Sequence, residues 1–458
     1  MSGPVFGAKV ALARAIGAAS RTSGRGGGTT LPGRVLLRLS PDAIARLGSR
    51  LSRSTIVSAT NGKTTTAGMI SAALAAEGRK PVHNRAGSNM TWGVATALLE
   101  QHGTEGLFEV DEAWLPKVTA QLDPELIVLG NLFRDQLDRY GELETLADEW
   151  AKLVEARAGH TRFVLNADDP LIADLGRDRE ERPRPGVTYF GIEDPRHALP
   201  ELQHAHDAKH CRRCGHPYEY ERAFVGHLGH YACPSCGAQR PTPDVAATEI
   251  DLLGMEGSQL SVRTPKGDLK LKLPLPGLYN AYNALAAIAA ALDLGVGLEL
   301  VRSGLESVRA VFGRVETIEV DGKSVSILLI KNPAGANEVL RTLRLESDGG
   351  DLDLWIALND GIADGRDVSW IWDADFELLA GAARHVTCSG TRAPEMALRL
   401  KYAGWPPESI AVEDEIAGSL ERAVAQADGR LFALPTYTAL LELRTLLADR
   451  GLAKDYWE

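Results

Sequence analysis

Residues 58–66 read Ser-Ala-Thr-Asn-Gly-Lys-Thr-Thr-Thr. The β-branched run Ser54–Ser58 leads into them as a strand entering a turn, and Thr65–Glu77 follows with many alanines at helical spacing. Strand, Gly-Lys-Thr turn and helix form the order that phosphate binding requires. Backbone N–H groups at a helix N-terminus cradle phosphate oxygens, and glycine lets the backbone come close. On this reading Thr60, Asn61, Gly62, Lys63, Thr64 and Thr65 hold a nucleotide. Lys63 neutralises its β/γ phosphates, and the Thr64 hydroxyl binds Mg²⁺. The match to the eight-residue phosphate-loop pattern is partial, because Val57 occupies its first glycine position.

Outward from the loop, short apolar runs recur at Phe108–Val110, Leu126–Leu129, Arg162–Leu165 and Val187–Phe190, with a helical stretch at Glu142–Arg157. Strands alternating with helices predict an α/β fold with a parallel-rich sheet covered on both faces. Residues 204–243 break the pattern with His, Cys, Tyr and Arg, and the helical stretch Ala281–Leu294 resumes it. After Gly313-Arg314 a second, smaller α/β unit begins: Val325–Ile330, Leu354–Leu358, His385–Cys388 and Arg430–Ala433, then Thr438–Leu447. The chain therefore divides into a basic leader (1–53), a central domain (54–314) with an insertion at about 204–243, and a C-terminal α/β domain (315–458).

The totals set limits. The chain has 458 residues, with 50 Lys and Arg against 61 Asp and Glu, a net charge of −11. That balance excludes a protein that coats nucleic acid through a dominant basic surface. No window reaches the roughly 18 apolar residues of a membrane span, and Lys9 and Arg14 break any signal-peptide core. A cytoplasmic enzyme is expected. One asymmetry remains: residues 1–53 hold nine Lys and Arg against the single acid Asp42. They read as a solvated, partly flexible arm, helped by the glycine-rich Ser23–Gly28, or as a surface that touches lipid headgroups or a pyrophosphate.

Cys211-x-x-Cys214 and Cys233-x-x-Cys236 stand eighteen residues apart, the spacing of a Cys₄ zinc ribbon. Gly215 and Gly237 allow a tight turn beneath the thiols. A closed four-thiolate site is structural. His204, His206 and His210 read as exposed loop residues rather than ligands, and Cys388 as a buried strand-end thiol without a base.

These motifs, taken in order, resemble the Mur ligase superfamily. Ser58–Thr66 is similar to its nucleotide loop, with Ala59 where most members have Gly. Glu109-Val110-Asp111-Glu112 resembles its acidic Mg²⁺ motif, with Glu109 in the metal position. Asn131–Gly141 resembles its N-x-x-x-D-H-L-D-x-H-G block, with Gln136 replacing a metal-binding His. Asn166–Asp169, the asparagine helix at Asn280–Ala284 and Phe312-Gly313-Arg314 have counterparts too, which implies that Asn280 and Arg314 contact ATP. Lys152 lies near a lysine that many members carbamylate, at a different spacing, and that role is not carried over.

The loop begins too early for a uridine-nucleotide-binding domain ahead of it. With the Cys₄ ribbon and Leu358–Asp373, the chain resembles the branch of synthetase subunits that amidate lipid II. The resemblance implies ATP, Mg²⁺ and structural Zn²⁺ as cofactors and conversion of the stem-peptide D-glutamate to D-isoglutamine. It also implies ammonia from a GatD-like glutaminase partner in a heterodimer. The partner's Cys–His pair needs an acid to orient its histidine. Among Asp360, Asp364, Asp367, Asp373 and Asp375, most of which read as turn and cap residues, Asp367 is assigned that task, with Asp364 and Asp360 as alternatives. It precedes the apolar segment Val368–Trp372, a candidate interface core. Three other readings are a folylpolyglutamate synthase-like ligase, a nucleotide-binding scaffold without turnover and a zinc-ribbon nucleic-acid binder, the last disfavoured by the acidic total.

Overall fold

The computed structural model describes residues 4–22, 30–84, 88–135, 143–178, 180–204, 206–309, 314–347 and 351–453. Gln136 and the Ser23–Gly28 stretch lie outside these residues, as does the side chain of Arg314.

The central domain is built on nine strands. They are β1 (Arg53–Ser58), β2 (Val82–His83), β3 (Glu105–Glu109), β4 (Leu126–Leu129), β5 (Arg162–Asn166), β6 (Val187–Ile192), β9 (Val245–Leu252), β10 (Ser258–Thr264) and β11 (Gly267–Leu273). Their order is β11-β10-β9-β6-β5-β4-β1-β3-β2. From β2 to β9 every neighbour is parallel. The β10 and β11 strands close the sheet as antiparallel neighbours. Helices cover the parallel strands, so β1 and β4 are continuous buried runs. By contrast β11 alternates Leu269, Leu271 and Leu273 inward with Lys270 and Lys272 outward.

The β1 strand pairs with β4 on one side and β3 on the other. Strand order reverses there, which opens a crevice beyond the carboxyl end of β1. The phosphate loop occupies that position, and the helix Lys63–Ala76 starts from it.

The leader is not a loose arm over its described part. Helices Pro4–Thr22, Leu31–Leu39 and Ala43–Gly48 share a core with Leu99 through Phe6, Ala13, Leu36 and Ala43. Several of its cations work locally. Arg14 donates to Leu99 O at 3.0 and 2.7 Å, and Arg50 to Leu98 O and Gln101 O at 2.7 and 2.8 Å. They satisfy the last carbonyls of the helix Thr91–Glu100, where positive charge meets the negative end of the helix dipole.

The cysteine insertion leaves the sheet after β6 and returns as β9, its direct neighbour, and carries the hairpin β7 (Glu219–Val225) and β8 (Leu228–Ala232). The C-terminal domain has a six-stranded sheet in the order β12-β13-β17-β14-β15-β16: β12 (Arg314–Val320), β13 (Lys323–Leu328), β14 (Leu352–Ala357), β15 (Ala383–Ser389), β16 (Ile410–Val412) and β17 (Arg430–Pro435). Only β12 runs antiparallel to its neighbour.

Fully buried Asp168 ties these parts together. It accepts from Arg240 Nε at 2.6 Å, Ile192 N at 2.9 Å and the Tyr282 hydroxyl at 2.7 Å. The partners belong to the insertion's return, the end of β6 and the asparagine helix Leu278–Asp293. Removing one member of a buried ion pair strands the other charge. Asp168→Ala is therefore expected to destabilise the central domain by about 3–5 kcal/mol, read as a lower thermal midpoint. An unchanged midpoint would show that the cluster is not a fold determinant.

Candidate active site

Gly62 ends the loop at φ 89°. A Cβ there would lie 2.0 Å from Asn283 Oδ1, so both the left-handed backbone and the close approach demand glycine. The loop is held from below by Asn131. Its Oδ1 accepts from Asn61 N at 2.9 Å, its Nδ2 donates to Asn61 O at 3.0 Å, and its backbone O accepts from Thr60 N at 2.9 Å. Asn283 and Asn280 face the loop from the asparagine helix, linked to each other at 3.0 Å.

Lys63 is buried and turned back into its own loop. Its ammonium donates to Ala59 O at 2.6 Å and Thr60 O at 3.4 Å, and pairs with Glu112 at 2.8 Å. Burial alone would lower its pKa, but the carboxylates of Glu112, Asp111 and Glu109 outweigh that and hold it above the usual range. For Glu112 burial pushes upward, and Lys63 and Lys331 overcome it to keep the carboxylate low. Reading the sequence assigned Lys63 to the phosphates alone. The structure adds Glu112, at the far end of the quoted acidic motif, as its direct partner.

Glu109, at the end of β3, is also buried. Asn84 bonds its backbone N–H and C=O at 2.9 and 2.7 Å. The Glu109 carboxylate and the Thr64 hydroxyl form no hydrogen bond with a described residue, while both adjoin Lys63 in chain or charge. Such a carboxylate and hydroxyl, both oxygen donors, fit Mg²⁺. Thr65 is buried in the first turn of the helix and lines the cleft.

The C-terminal domain closes on the loop. Asn332 exchanges amide bonds with Asn61 at 3.3 and 3.0 Å. The Lys331 ammonium pairs with Asp135 and reaches Thr60 O at 3.4 Å. Together the domains form a cleft lined by Asn61, Gly62, Asn280, Tyr279, Lys331 and Glu338, among others. Lys331 and Asn332 went unnoticed in the sequence, since neither belongs to a spaced motif. Arg314 lies at the start of β12, and the ATP contact expected of it falls outside the described side chains.

In the ribbon, the four Sγ atoms of Cys211, Cys214, Cys233 and Cys236 lie within 4.8 Å of one another. Cys211–Cys236 and Cys214–Cys233 are 3.6 and 3.4 Å apart, near the roughly 3.8 Å edge of a tetrahedron with Zn–S bonds of about 2.3 Å. The two knuckles repeat each other. Cys211 N donates to His216 O and Cys233 N to Ala238 O at 2.8 and 2.7 Å, and Gly215 and Gly237 share a φ of 75°. His204 and His210 are exposed, but His206 is buried against Tyr220, and burial pushes its pKa down to about 4. This corrects its reading as an exposed loop residue, since its cover comes from a strand fourteen residues away. Lys152 is exposed and pairs with Glu149. Cys388 is buried in β15, which pushes its thiol up to about 12 and leaves it inert.

The aspartates separate cleanly. Asp364 accepts from Thr438 N at 2.8 Å and from its hydroxyl, and Asp360 from the Thr391 hydroxyl at 2.9 Å. Asp373 meets Arg134 at 3.3 Å, and Asp375 accepts from Asn337 Nδ2 at 2.8 Å. Asp367 is exposed and, among the described residues, accepts from Ser369 alone, which holds its carboxyl below the usual range.

Two family models match the chain: the Mur ligase middle domain over residues 57–232 and the MurT ligase C-terminal domain over 329–440. The chain is 33% identical to the lipid II isoglutaminyl synthase (glutamine-hydrolyzing) subunit MurT of Streptococcus pneumoniae, over 94% of each chain. It is 32% identical to the subunit of the same name from Staphylococcus aureus, also over 94% of each. Among solved structures, a pseudomurein peptide ligase type C from Methanothermus fervidus shares the fold. Its TM-score is 0.66 at 22% identity, covering 87% of this chain and 79% of that one. Fold and site are those of an ATP-dependent ligase of the Mur type. Within that class, the chain belongs to the MurT family.

Gly62→Ala is expected to force Asn283 off the loop at a conformational cost of about 1–2 kcal/mol. Nucleotide affinity should fall about tenfold or more, measured by calorimetric titration with ATP. Wild-type affinity would show that the close Gly62–Asn283 approach is not needed for binding.

Proposed function

We propose that this chain is the synthetase subunit of a lipid II-amidating enzyme. In this reading ATP phosphorylates the α-carboxylate of the stem-peptide D-glutamate. Ammonia then attacks the acyl carbon, phosphate leaves, and D-isoglutamine results. The observation that carries the reading is a Gly-Lys-Thr phosphate loop at the switch point of the sheet, closed by a C-terminal domain of the MurT type.

The residues divide the work. The loop N–H groups and the start of the helix Lys63–Ala76 bind the phosphates. Lys63 and Lys331 bring positive charge from the two domains. Thr64 and Glu109 would hold Mg²⁺, which supplies further neutralisation of the phosphates when bound. Asn280 and Asn283 orient the nucleotide, with Arg314 at the domain boundary. Closure through Asn332 and Asn61 excludes water from the acyl phosphate. The four cysteines hold Zn²⁺ as a structural ion.

Ammonia comes from a glutaminase subunit of the GatD type, bound as a heterodimer. Asp367 completes that partner's catalytic triad as the acid that orients its histidine. Its ionised, exposed carboxylate supports this, while Asp360 and Asp364 are engaged within the domain. Ile362, 80% exposed, and Trp372, 47% exposed and edge-on to Tyr402 at 5.7 Å, offer the apolar contact nearby. With ATP, Mg²⁺, ammonium chloride and lipid II, the chain is expected to yield an amidated stem peptide detectable by mass spectrometry. ADP formed with folate and glutamate, and no amidated lipid II, would move the reading to a folate ligase. In the complex, Asp367→Asn is expected to lower glutamine hydrolysis by about 10⁴-fold while ammonia-dependent amidation persists. Hydrolysis at the wild-type rate would dismiss Asp367.

The work is placed at the inner face of the membrane. No helix among the described residues is long and apolar enough to cross a bilayer. The leader, though, exposes Val5 by 70% and Leu12 by 51% within the most basic part of the chain. The chain is expected to sediment with phosphatidylglycerol vesicles and not with phosphatidylcholine ones, and Leu12→Glu should weaken this. No sedimentation with either would remove the membrane-surface placement.

A further inference from the structure

The cysteine ribbon reaches the nucleotide cleft. The β7–β8 hairpin runs from the knuckles inward, and its tip lies at the bottom of the boundary between the domains. Phe224 and His227 are fully buried, and Val225 and Leu228 line the same cleft as Asn61 and Gly62. The His227 ring packs on Phe133 at 4.6 Å, and Phe133 N donates to the Thr60 hydroxyl at 3.1 Å. Thus the tip is one residue removed from the phosphate loop.

Three elements hold the tip in place. Gly229 N donates to Asp168 O at 2.8 Å, on the central domain. Gly226 N donates to Gln203 Oε1 at 2.8 Å, at the start of the insertion, and Gln203 Nε2 reaches Asp375 at 3.1 Å, in the C-terminal domain. Arg341, on the C-terminal helix Pro333–Glu346, donates to Phe224 O at 2.7 Å and to buried Glu338 at 2.8 Å. Behind the tip, Tyr218, Tyr220 and Tyr231 pack ring on ring at 5.1 and 6.1 Å toward the cysteines. Cys233 directly follows the last residue of β8. A hairpin this short has no core of its own. Its outer end is fixed by the four-thiol knuckles and this tyrosine column, together with ion pairs from Arg213 to Asp174 and Glu181 and from Arg212 to Asp148 on the central domain.

The cleft has two characters. Asn61, Gly62, Thr65, Asn131 and Lys331 surround the loop, while Val225, Leu228, Leu275, Leu328 and Val339 supply apolar wall. Taking the cleft as the ATP site of the proposed function, we infer that the ribbon hairpin forms the wall against which the nucleotide base packs, and that the cysteine knuckles position that wall. Val225 and Leu228 are then specificity-determining contacts, and the cysteines act through them as positioning residues. The metal-binding insertion so becomes part of the nucleotide site rather than an appendage.

The base and phosphate ends can be tested separately on the full-length chain, by calorimetric titration with ATP and with inorganic tripolyphosphate. Leu228→Asp is expected to weaken ATP about tenfold or more and to leave tripolyphosphate unchanged. Leu228→Ala should show the same split more mildly, which guards against misfolding of the charged variant. Cys214→Ser, checked by elemental analysis for loss of one zinc per chain, should lower ATP affinity in the same direction and again spare tripolyphosphate. Gly62→Ala should weaken both ligands. If both Leu228 variants bind ATP within about twofold of wild type while Gly62→Ala does not, the cleft is the nucleotide site and the hairpin wall is wrong. If Gly62→Ala and Leu228→Asp both bind ATP normally, the nucleotide reading of the cleft fails first. Equal losses for ATP and tripolyphosphate in Leu228→Ala would show a general collapse of the loop and overturn the assignment to the base.

Discussion

A buried ammonium sets the terms for the rest of the molecule. Lys63 sits where water cannot solvate it, so its charge has to be met by the Ala59 and Thr60 carbonyls and by the Glu112 carboxylate. Those partners come from different places. The carbonyls require the loop to turn sharply after β1, and Glu112 requires the chain to curl directly after β3 into a single helical turn. The backbone of that turn is held in its own right, with the Trp150 indole donating to Glu112 O at 3.1 Å. One charge thus fixes the relation of β1, β3 and the helix Leu143–Arg157.

The second domain is attached differently. Its contact with the loop is an amide pair, Asn61 with Asn332, joined by the Lys331–Asp135 ion pair at the margin. Neutral amide bonds exchange with water at a net cost of only about 1 kcal/mol each, so they suit a contact that can open readily. The loop's own anchor uses a desolvated charge, and the contact between the domains uses amides with an ion pair at its margin. This division matches the needs of a reaction that admits a bulky substrate and then excludes water.

How much of this was legible from the residues differs by element. The strand–loop–helix around Gly62 was readable because phosphate binding forces residue type, order and neighbours together. The two knuckles were readable because thiols at that spacing have few other uses. The antiparallel strands β9–β11 were passed over, since no chemical motif marks residues 245–273 and their alternation is interleaved with charge. The leader was misjudged because arginines look solvated in a sequence, whereas Arg14 and Arg50 cap a helix through carbonyls 85 and 48 residues away. Glu112, Lys331 and Asn332 depend on long-range packing, which a single sequence does not display. The position of His206 was hidden in the same way.

The route of the chain between β6 and β9 bears on how the domain is assembled. These strands are direct parallel neighbours, yet the polypeptide must complete the whole cysteine insertion before the second can meet the first. Until then β6 has an open edge, and Asp168 lacks Arg240 and Tyr282. A long loop closed before its contacts are gained slows folding. Were the four thiols to gather around one ion, that loop would shorten in effect, since metal capture would join residues 211 and 236. Newly made chains in zinc-starved cells would then stall with a half-built sheet, and the availability of the metal would govern how much ligase accumulates.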